Sequence, residues 1–246
     1  MNIIGIIPAR YQSSRLPGKP LADICGKPMI WWTYQRAKGV KGFSEVYVAL
    51  DDERVAKVCK EYNIPYIETS PDNKTHMNRL HEVSNKIHAD LYAVICGDEP
   101  LIKSEVIQAI IPTSEIDLNI PVARALRRKF TDPAEVIDPN NIKIVTNDKE
   151  ECLYLSRSPI PFPFKTVLFD YYKIVGIECY NKLALDFFVN TEPGRLEKIE
   201  DIAILRFPEN NIKMVFTLVE TNALSVDTEK DLEKVRKIIA EEMKNE

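Results

Sequence analysis

The sequence predicts an α/β protein with a mainly parallel sheet flanked by helices and a subregion of mixed strands in its second half. The first observation is that short apolar, strand-like segments alternate with helix-like segments up to about residue 118. The second is that later segments look like strands joined by hairpins or long connections. The third is the composition, since 45% hydrophobic and 28% charged residues in a chain of 246 are ordinary for a soluble globular protein.

Strands and helices are predicted in alternation in the first half. The predicted strands are NIIGII, SEVYVAL, PYIET and ADLYAVICGDEP, and the last of these runs into a polar turn. The predicted helices are MIWWTYQRAKGV, DDERVAKVCKEYN, NRLHEVSNKIH and KSEVIQAIIPTS. The second helix has acidic residues in its first turn, which the helix dipole favours. In the third helix, Leu80, Val83 and Ile87 have helical spacing and form an apolar face.

The second half is predicted to be richer in strands. They are DLNIPVARALR, NNIKIVTND, CLYLSRSPIP, YKIVGIECY and IKMVFTLVE, while KLALDFFVN and GRLEKIEDIAILRFPEN are predicted helices. A C-terminal helix is predicted from Thr228, because Thr228 and Asp231 have capping-box spacing. The apolar face of this helix comprises Leu232, Val235, Ile238 and Ile239. We expect that face to pack within the protein, with the binding of a partner as the alternative.

Composition excludes several classes of function. The net charge is −4 and the chain has no basic block, which argues against a nucleic-acid-binding protein. No apolar stretch is long enough to span a membrane, and the N-terminus lacks a signal-peptide pattern, so we expect a cytoplasmic protein. The five scattered cysteines form no CxxC pair, which predicts neither a disulfide framework nor a zinc site.

The loop after the first strand is the first candidate site. It carries Arg10, Arg15 and Lys19 with little bulk between them, and Pro17 and Pro20 stiffen it. In an open α/β sheet, ligands bind beyond the carboxyl ends of the strands, so these cations and nearby backbone N–H groups could hold a chain of phosphates. The loop matches neither the P-loop nor the GxGxxG motif. A solvated surface loop is the alternative.

Two carboxylates are candidates for a metal site. Asp98 follows the strand that ends in AVIC, and Gly97 lets the turn there close. Carboxylates in such a place can bind Mg²⁺ together with water and substrate phosphates. Asp227 stands where the last strand gives way to the final helix and could be a second ligand. An ordinary acidic turn at Asp98 and an N-cap at Asp227 are the alternatives.

Several segments together resemble one enzyme family. In chain order, IIPARYQSSRLPGKPL, GKPMI, GDEPLI, YLSRSPIP, LEKIE and VDTEKDLEKV are similar to the signature segments of the 3-deoxy-manno-octulosonate (Kdo) cytidylyltransferases. The resemblance spans nearly the whole chain, and the opening loop is its most specific part. It implies a nucleotide-diphospho-sugar transferase fold and an enzyme that uses Mg²⁺ to make CMP-sugar and pyrophosphate from CTP and a 2-keto sugar acid.

The resemblance also implies roles for individual residues. The residues expected to bind the nucleotide are Pro8, Ala9, Arg10, Ser13, Arg15, Lys19, Arg79 and Asp98. Arg10 and Lys19 would neutralise the triphosphate, and Asp98 and Asp227 would hold magnesium; these four are the expected catalytic residues. Arg157 would contact the sugar acid or phosphates. A homodimer with the later strands at its interface, and a place in lipopolysaccharide or surface-polysaccharide biosynthesis, are also expected.

The sequence departs from the family where the acceptor is expected to bind. Where the family has a Ser-Gly-Thr stretch the chain has His76, Met77 and Asn78, and Cys96 replaces a glutamine. Glu178, Ile174, Ala203, Ile204 and Ser225 are further departures. The expected acceptor-binding residues are therefore His76, Met77, Asn78, Cys96, Arg157, Glu178 and Ile204. Losing polar contacts can change substrate discrimination strongly.

Four functions stay open at this point. The first is a cytidylyltransferase for Kdo or a close analogue, and the second is one for another ulosonic acid or a hydroxy or phosphonic acid. The third is a non-catalytic nucleotide-binding homologue, and the fourth is UTP- or GTP-dependent sugar-phosphate transfer on the same fold. We expect one domain over residues 1–246, with a nucleotide-binding part at about 1–118, an acceptor-binding and dimerisation part at about 119–225 and a terminal helix at about 228–244. Two domains with a break near residues 115–120 are the alternative.

Overall fold

The computed structural model describes residues 1–13, 16–166 and 169–245. It forms two compact units, one made of Met1–Gln108 with Asn222–Glu246 and the other of Ala109–Thr221. The first boundary lies several residues before the sequence-based division near 115–120. The assignment of residues 1–246 to a single domain stays a prediction.

The elements follow the predicted order closely. The strands are β1 Ile3–Ala9, β2 Asp23–Ile24, β3 Lys27–Pro28, β4 Glu45–Leu50, β5 Tyr66–Glu68, β6 Leu91–Ile95, β7 Ala123–Lys129, β8 Lys143–Thr146, β9 Cys152–Ser156, β10 Tyr172–Tyr180 and β11 Met214–Leu218. The helices are α1 Met29–Lys38, α2 Glu53–Glu61, α3 His76–Lys86, α4 Ser104–Gln108, α5 Pro133–Ile137, α6 Lys182–Asn190, α7 Arg195–Glu200, α8 Arg206–Glu209 and α9 Glu229–Asn245. Short 3-10 helices cover Lys19–Leu21 and Ala203–Leu205.

The sheet of the first unit is parallel, as predicted. Its strands lie in the order β6-β1-β4-β5, and in this register Ile6 lies beside Val94 while Ala9 lies beside Leu50. The isoleucines of β1 are almost fully buried, which is why this apolar run forms a central strand. Because the strands are parallel, the chain leaves β1, β4 and β6 at one edge.

Helix α9 packs inside the first unit through the predicted apolar face. Its buried residues join the β2–β3 hairpin and the start of α1 in one cluster, which comprises Ile24, Met29, Val226, Leu232, Val235 and Ile239. The predicted capping box is confirmed, since Thr228 Oγ1 accepts the Asp231 N–H at 3.3 Å and the Asp231 carboxylate accepts the Thr228 N–H at 3.0 Å. The helix therefore fixes the segment just before it, which contains Asp227.

The second unit contains the predicted mixed strands. Strand β7 is antiparallel to β10 and parallel to β11, and β8 is antiparallel to both β9 and β10. Phe207 stacks on Tyr180 with ring centroids 5.5 Å apart and also contacts Phe188, which forms an aromatic core beside α6.

Three local predictions need correction. The segment GRLEKIEDIAILRFPEN is not one helix, because Asp201 adopts φ 52° and divides it into α7, a 3-10 turn and α8. Helix α4 ends at Gln108 rather than continuing to Pro112, a residue that disfavours helix before it. Helix α5 was not predicted, although Asp132 caps it and Pro133 begins it.

No helix in the described ranges is both long enough and apolar enough to cross a bilayer.

A buried ion pair in the second unit leads to a stability prediction. Arg206 Nε donates to Glu197 at 2.7 Å and Nη1 donates to the Phe188 carbonyl at 2.6 Å. Arg206→Met should lower the free energy of unfolding by about 3–5 kcal/mol, because the Glu197 carboxylate stays buried without its partner. Urea denaturation measures this loss. The matched control is Lys213→Met, whose exposed pair with Glu151 should contribute about 0–1 kcal/mol. Equal losses in the two variants would contradict the prediction.

Candidate active site

A cavity of about 480 Å³ opens at the carboxyl edge of the first unit's sheet. Its walls come from the ends of β1 and β6, the start of α3, the loop before the first 3-10 helix and the segment before α9. The lining residues are Pro8, Ala9, Arg10, Gln12, Ser13, Lys19, Pro20, Ile30, Thr75, His76, Arg79, Val94, Cys96, Gly97, Asp98 and Asp227. The edge-of-sheet position is the one expected for ligands in an open α/β sheet.

The turn after β6 is held tightly against the neighbouring strand. A Cβ on Gly97 would lie 3.0 Å from the Pro8 carbonyl oxygen, so this close approach needs glycine. Thr33 Oγ1 donates to the Gly97 carbonyl at 3.2 Å. Just beyond, the Val226 N–H donates to the Asp98 carbonyl at 2.8 Å. These contacts bring the segment before α9 alongside the turn and so place Asp227 near Asp98.

Lys19 lies between the two predicted metal ligands. Its Nζ is 2.9 Å from Asp98 Oδ2 and 3.3 Å from Asp227 Oδ1. Burial is the largest single influence on the pKa of Lys19 and lowers it. The charges and hydrogen bonds of the two aspartates outweigh burial, so the pKa lies above its ordinary value. Lys19 therefore stays positively charged in the site at neutral pH.

The backbone of the opening loop is closed by Gly18. Gly18 has φ 72° and its N–H donates to the Tyr11 carbonyl at 3.0 Å. A Cβ at this position would also lie 3.3 Å from the Tyr11 hydroxyl. Glycine thus allows the loop to fold back and begin the 3-10 helix at Lys19.

The donor set at the two carboxylates fits a hard divalent cation. Asp98 and Asp227 already converge on one positive group, and both are partly exposed to the cavity. Within residues 1–13, 16–166 and 169–245, no cluster of three or more His, Cys, Asp or Glu side chains is arranged to hold a metal. Mg²⁺ commonly uses only one or two protein carboxylates and takes its other ligands from water and substrate phosphates.

Arg79 is a second cation at the cavity, and it is almost completely buried. It is 1% exposed, and its Nη2 donates to Asp51 Oδ2 at 2.6 Å. Its Nη1 also donates to Thr69 Oγ1. The sequence does not single out Asp51, although its place directly after a buried strand, in VALDD, could have indicated it.

Most predicted nucleotide-binding residues lie together. Those that line the cavity are Pro8, Ala9, Arg10, Ser13, Lys19, Arg79 and Asp98, with Asp227 opposite Lys19. Arg15 lies outside the described residues. The N-cap role considered for Asp227 is taken by Thr228, which forms the capping box. The sequence did not indicate Gln12 or Ile30, whereas Thr75 has a readable signal as a threonine that caps a helix.

The predicted acceptor-binding residues of the first unit differ in whether they line the cavity. His76 and Cys96 line the cavity. Met77 is 0% exposed and packs into the interior, because positions 76 and 79 share one helical face while 77 points elsewhere. Asn78 donates its N–H to the capping Thr75 Oγ1 at 3.2 Å. Met77 can therefore affect a ligand only through packing.

The remaining predicted acceptor residues belong to the second unit. Arg157 donates to three backbone carbonyls, those of Glu200 at 2.6 Å, Pro139 at 2.9 Å and Asp201 at 2.9 Å. Glu178 is 9% exposed and accepts the Tyr180 hydroxyl at 2.9 Å, and Ile204 is 3% exposed. Their roles in acceptor binding stay predictions.

Comparisons with known proteins address the family to which the chain belongs. A family model described as cytidylyltransferase matches residues 4–236. The 3-deoxy-manno-octulosonate cytidylyltransferase of Escherichia coli is 39% identical over 238 residues, which cover 97% of this chain and 96% of that protein. The 8-amino-3,8-dideoxy-manno-octulosonate cytidylyltransferase of Shewanella sp. (strain W3-18-1) is 36% identical over 243 residues, which cover 98% and 99%.

A solved structure has the same fold as this chain. A CMP:2-keto-3-deoxy-manno-octonic acid synthetase complexed with CTP matches with a TM-score of 0.93 and 38% identity, over 98% of this chain and all of that one. This match confirms the predicted α/β fold class. The family model covers most of the chain, and both named relatives exceed 30% identity over nearly their full length. The chain therefore belongs to the cytidylyltransferase family of nucleotidyltransferases.

Proposed function

We propose that this cytidylyltransferase uses Mg²⁺ and CTP to activate Kdo or a closely related 2-keto-3-deoxy sugar acid. The observation that carries the proposal is the ion triad of Lys19, Asp98 and Asp227 beside a cavity that Arg10 and Arg79 also line. Such a site offers cations for a triphosphate and carboxylates for a metal. The relatives named above act on Kdo and on its 8-amino derivative, which supports an acceptor of this type.

The reaction joins the acceptor to the α-phosphorus of CTP. The anomeric hydroxyl oxygen attacks that phosphorus, the bond to the bridging oxygen of the β-phosphate breaks, and pyrophosphate leaves with the electron pair. The hydroxyl proton passes to solvent water as the new bond forms. Little covalent chemistry falls to the protein, so positioning and charge stabilisation provide most of the rate.

The residues that line the cavity would have different roles in this reaction. Arg10 and Lys19 would stabilise negative charge as it gathers on the departing pyrophosphate. Asp98 and Asp227 would hold Mg²⁺. When bound, the ion supplies positive charge to phosphate oxygens and lowers the pKa of a coordinated hydroxyl. The opening loop would present its backbone and Ser13 along the nucleotide.

An acceptor other than Kdo itself is favoured by one observation. His76 and Cys96 both line the cavity, and both depart from the pattern of the Kdo enzymes that this chain resembles. Their side chains offer different hydrogen bonds from the small loop and glutamine expected in that pattern. A modified Kdo, another ulosonic acid or another hydroxy or phosphonic acid is therefore the second candidate.

We also propose that the protein works in the cytoplasm as a homodimer in surface-polysaccharide biosynthesis. Supporting the dimer, the second unit exposes large apolar side chains, among them Ile137 at 73%, Phe162 at 80% and Phe164 at 84%. Sedimentation velocity measures the mass in solution, and a monomer at micromolar concentration would reject this part of the proposal.

An acceptor panel tests the proposed reaction. With CTP and Mg²⁺, pyrophosphate release should require Kdo, 8-amino-Kdo or a related acid, and should be much slower with UTP, GTP or ATP. Pyrophosphatase-coupled phosphate detection measures the rate of pyrophosphate release for each combination of acceptor and nucleoside triphosphate. Tight CTP binding without turnover on any acceptor would instead indicate a nucleotide-binding homologue.

The metal-binding role of Asp98 is tested against Asp90, which lies at the other end of β6. Asp98→Asn should lower kcat on the order of 100-fold or more, because a carboxylate needed for charge stabilisation is lost. The matched control is Asp90→Asn, since Asp90 precedes β6 and accepts the Asn2 N–H at 2.6 Å at the opposite edge. Steady-state kinetics at several Mg²⁺ concentrations make the comparison. Near-normal activity of the Asp98 variant would refute the role.

Selectivity for the acceptor is expected to depend on His76. His76→Ser should change the ratio of kcat/KM between Kdo and 8-amino-Kdo by about 10-fold, with KM for CTP little altered, because the side chain lines the cavity. Met77→Leu is the control, since that residue is buried and isosteric exchange is tolerated. An unchanged ratio in the His76 variant would show that this residue does not select the acceptor.

A further inference from the structure

The carboxylate of Asp51 joins two parts of the cavity wall. Its Oδ2 accepts Arg79 Nη2 at 2.6 Å, and its Oδ1 accepts the backbone N–H of Tyr11 at 3.4 Å. Arg79 lies on α3, and Tyr11 is the second residue after β1. A single side chain therefore ties the helix to the beginning of the cationic loop.

The position of Asp51 in the fold explains why it can reach both partners. It directly follows β4, whose last residue, Leu50, lies beside Ala9 at the end of β1. The chain leaves both strands at the same edge, so Asp51 and Tyr11 meet as neighbouring strands end. The Asp51 side chain is 10% exposed, which makes the attraction to the guanidinium stronger than it would be in open solvent.

Arg79 depends on this carboxylate to keep its position. The Arg79 side chain is 1% exposed, and a buried cation needs both charge compensation and hydrogen-bond acceptors. Asp51 provides the charge. Thr69 Oγ1 accepts a second N–H and donates its own O–H to the Leu50 carbonyl at 2.8 Å. These partners leave the guanidinium in one orientation at the cavity wall.

Tyr11 connects Asp51 to the far end of the loop through its backbone. Its carbonyl accepts the Gly18 N–H, which closes the loop immediately before Lys19. The Arg54 guanidinium lies 3.4 Å from the centre of the Tyr11 ring, a cation–π contact that restrains the ring. Asp51 therefore holds the first part of the loop, at Tyr11, and the loop ends at Lys19.

We infer that Asp51 is a positioning residue that sets the nucleotide side of the cavity by holding Arg79 and the start of the opening loop in register. It does not itself line the cavity among the residues that the structure describes there. This inference rests on the proposed use of the cavity for CTP. It predicts weaker CTP binding by the folded variant, in addition to the loss of stability expected when a buried cation loses its charge partner.

Asp51→Asn tests the inference because asparagine keeps the shape and removes the charge. KM for CTP and the dissociation constant from titration calorimetry should both rise about 10-fold or more, while kcat at saturating CTP falls less. The melting temperature is measured in parallel. The matched control is Glu82→Gln on the same helix, whose carboxylate accepts the Ser70 N–H at 2.9 Å and Asn73 at 2.7 Å away from the cavity. That control should lower stability and leave KM for CTP unchanged.

A double-mutant cycle separates action through Arg79 from a general structural effect. Arg79→Gln should weaken CTP binding, and adding Asp51→Asn to it should weaken binding little further. Additive losses would overturn the coupling.

If the Asp51 variant does not fold, Thr69→Val removes the other acceptor of Arg79 with little change of volume and should also raise KM for CTP. Unchanged CTP binding in a folded Asp51 or Thr69 variant overturns the inference, whereas a wild-type protein that fails to bind CTP overturns the proposed function instead.

Discussion

The arrangement of the site depends on one ion triad, in which a single ammonium group holds two carboxylates from distant parts of the chain. Without Lys19, Asp98 and Asp227 would face each other as like charges in a partly enclosed cavity, which is unfavourable. Each member of the triad is fixed by its own local structure. Gly18 lets the loop turn before Lys19, Gly97 lets the turn at Asp98 close, and the capping box of α9 sets the segment that carries Asp227.

Much of the fold and part of the site follow from the sequence. Buried strands can be recognised in the sequence as apolar runs. Because ligands bind beyond the carboxyl ends of parallel strands, the loop after β1 and the turn after β6 are predicted to form the site. Side-chain pairings between strands and helices are harder to predict. Asp51 and Asp52 are adjacent and identical in type, yet one pairs with a buried arginine while the other accepts the Arg54 N–H as the cap of α2. Only the three-dimensional register distinguishes them.

The predicted acceptor-binding residues show a second limit of sequence reasoning. A motif supplies positions, but the direction of each side chain depends on where a helix begins. Because α3 begins at His76, residues 76 and 79 face the cavity while Met77 packs inside. In the second unit, a non-glycine residue in the left-handed region, Asp201, ends a helix that the pattern of apolar residues would continue. Thr75 marks the start of α3 as a capping residue, whereas the break at Asp201 leaves no clear mark on local composition.

The chain order of the triad has a consequence for biosynthesis of the protein itself. Lys19 and Asp98 emerge early from the ribosome, but Asp227 lies 208 residues after Lys19, and the whole of Ala109–Thr221 is made between Asp98 and Asp227. Domains generally fold as units during synthesis, in order from the N-terminus. The first unit of this protein cannot complete its core in that way, since α9 supplies Leu232, Val235 and Ile239 to it. A nascent chain that lacks α9 therefore holds Lys19 and Asp98 but not Asp227, and the ion triad can form only after the second unit has been made.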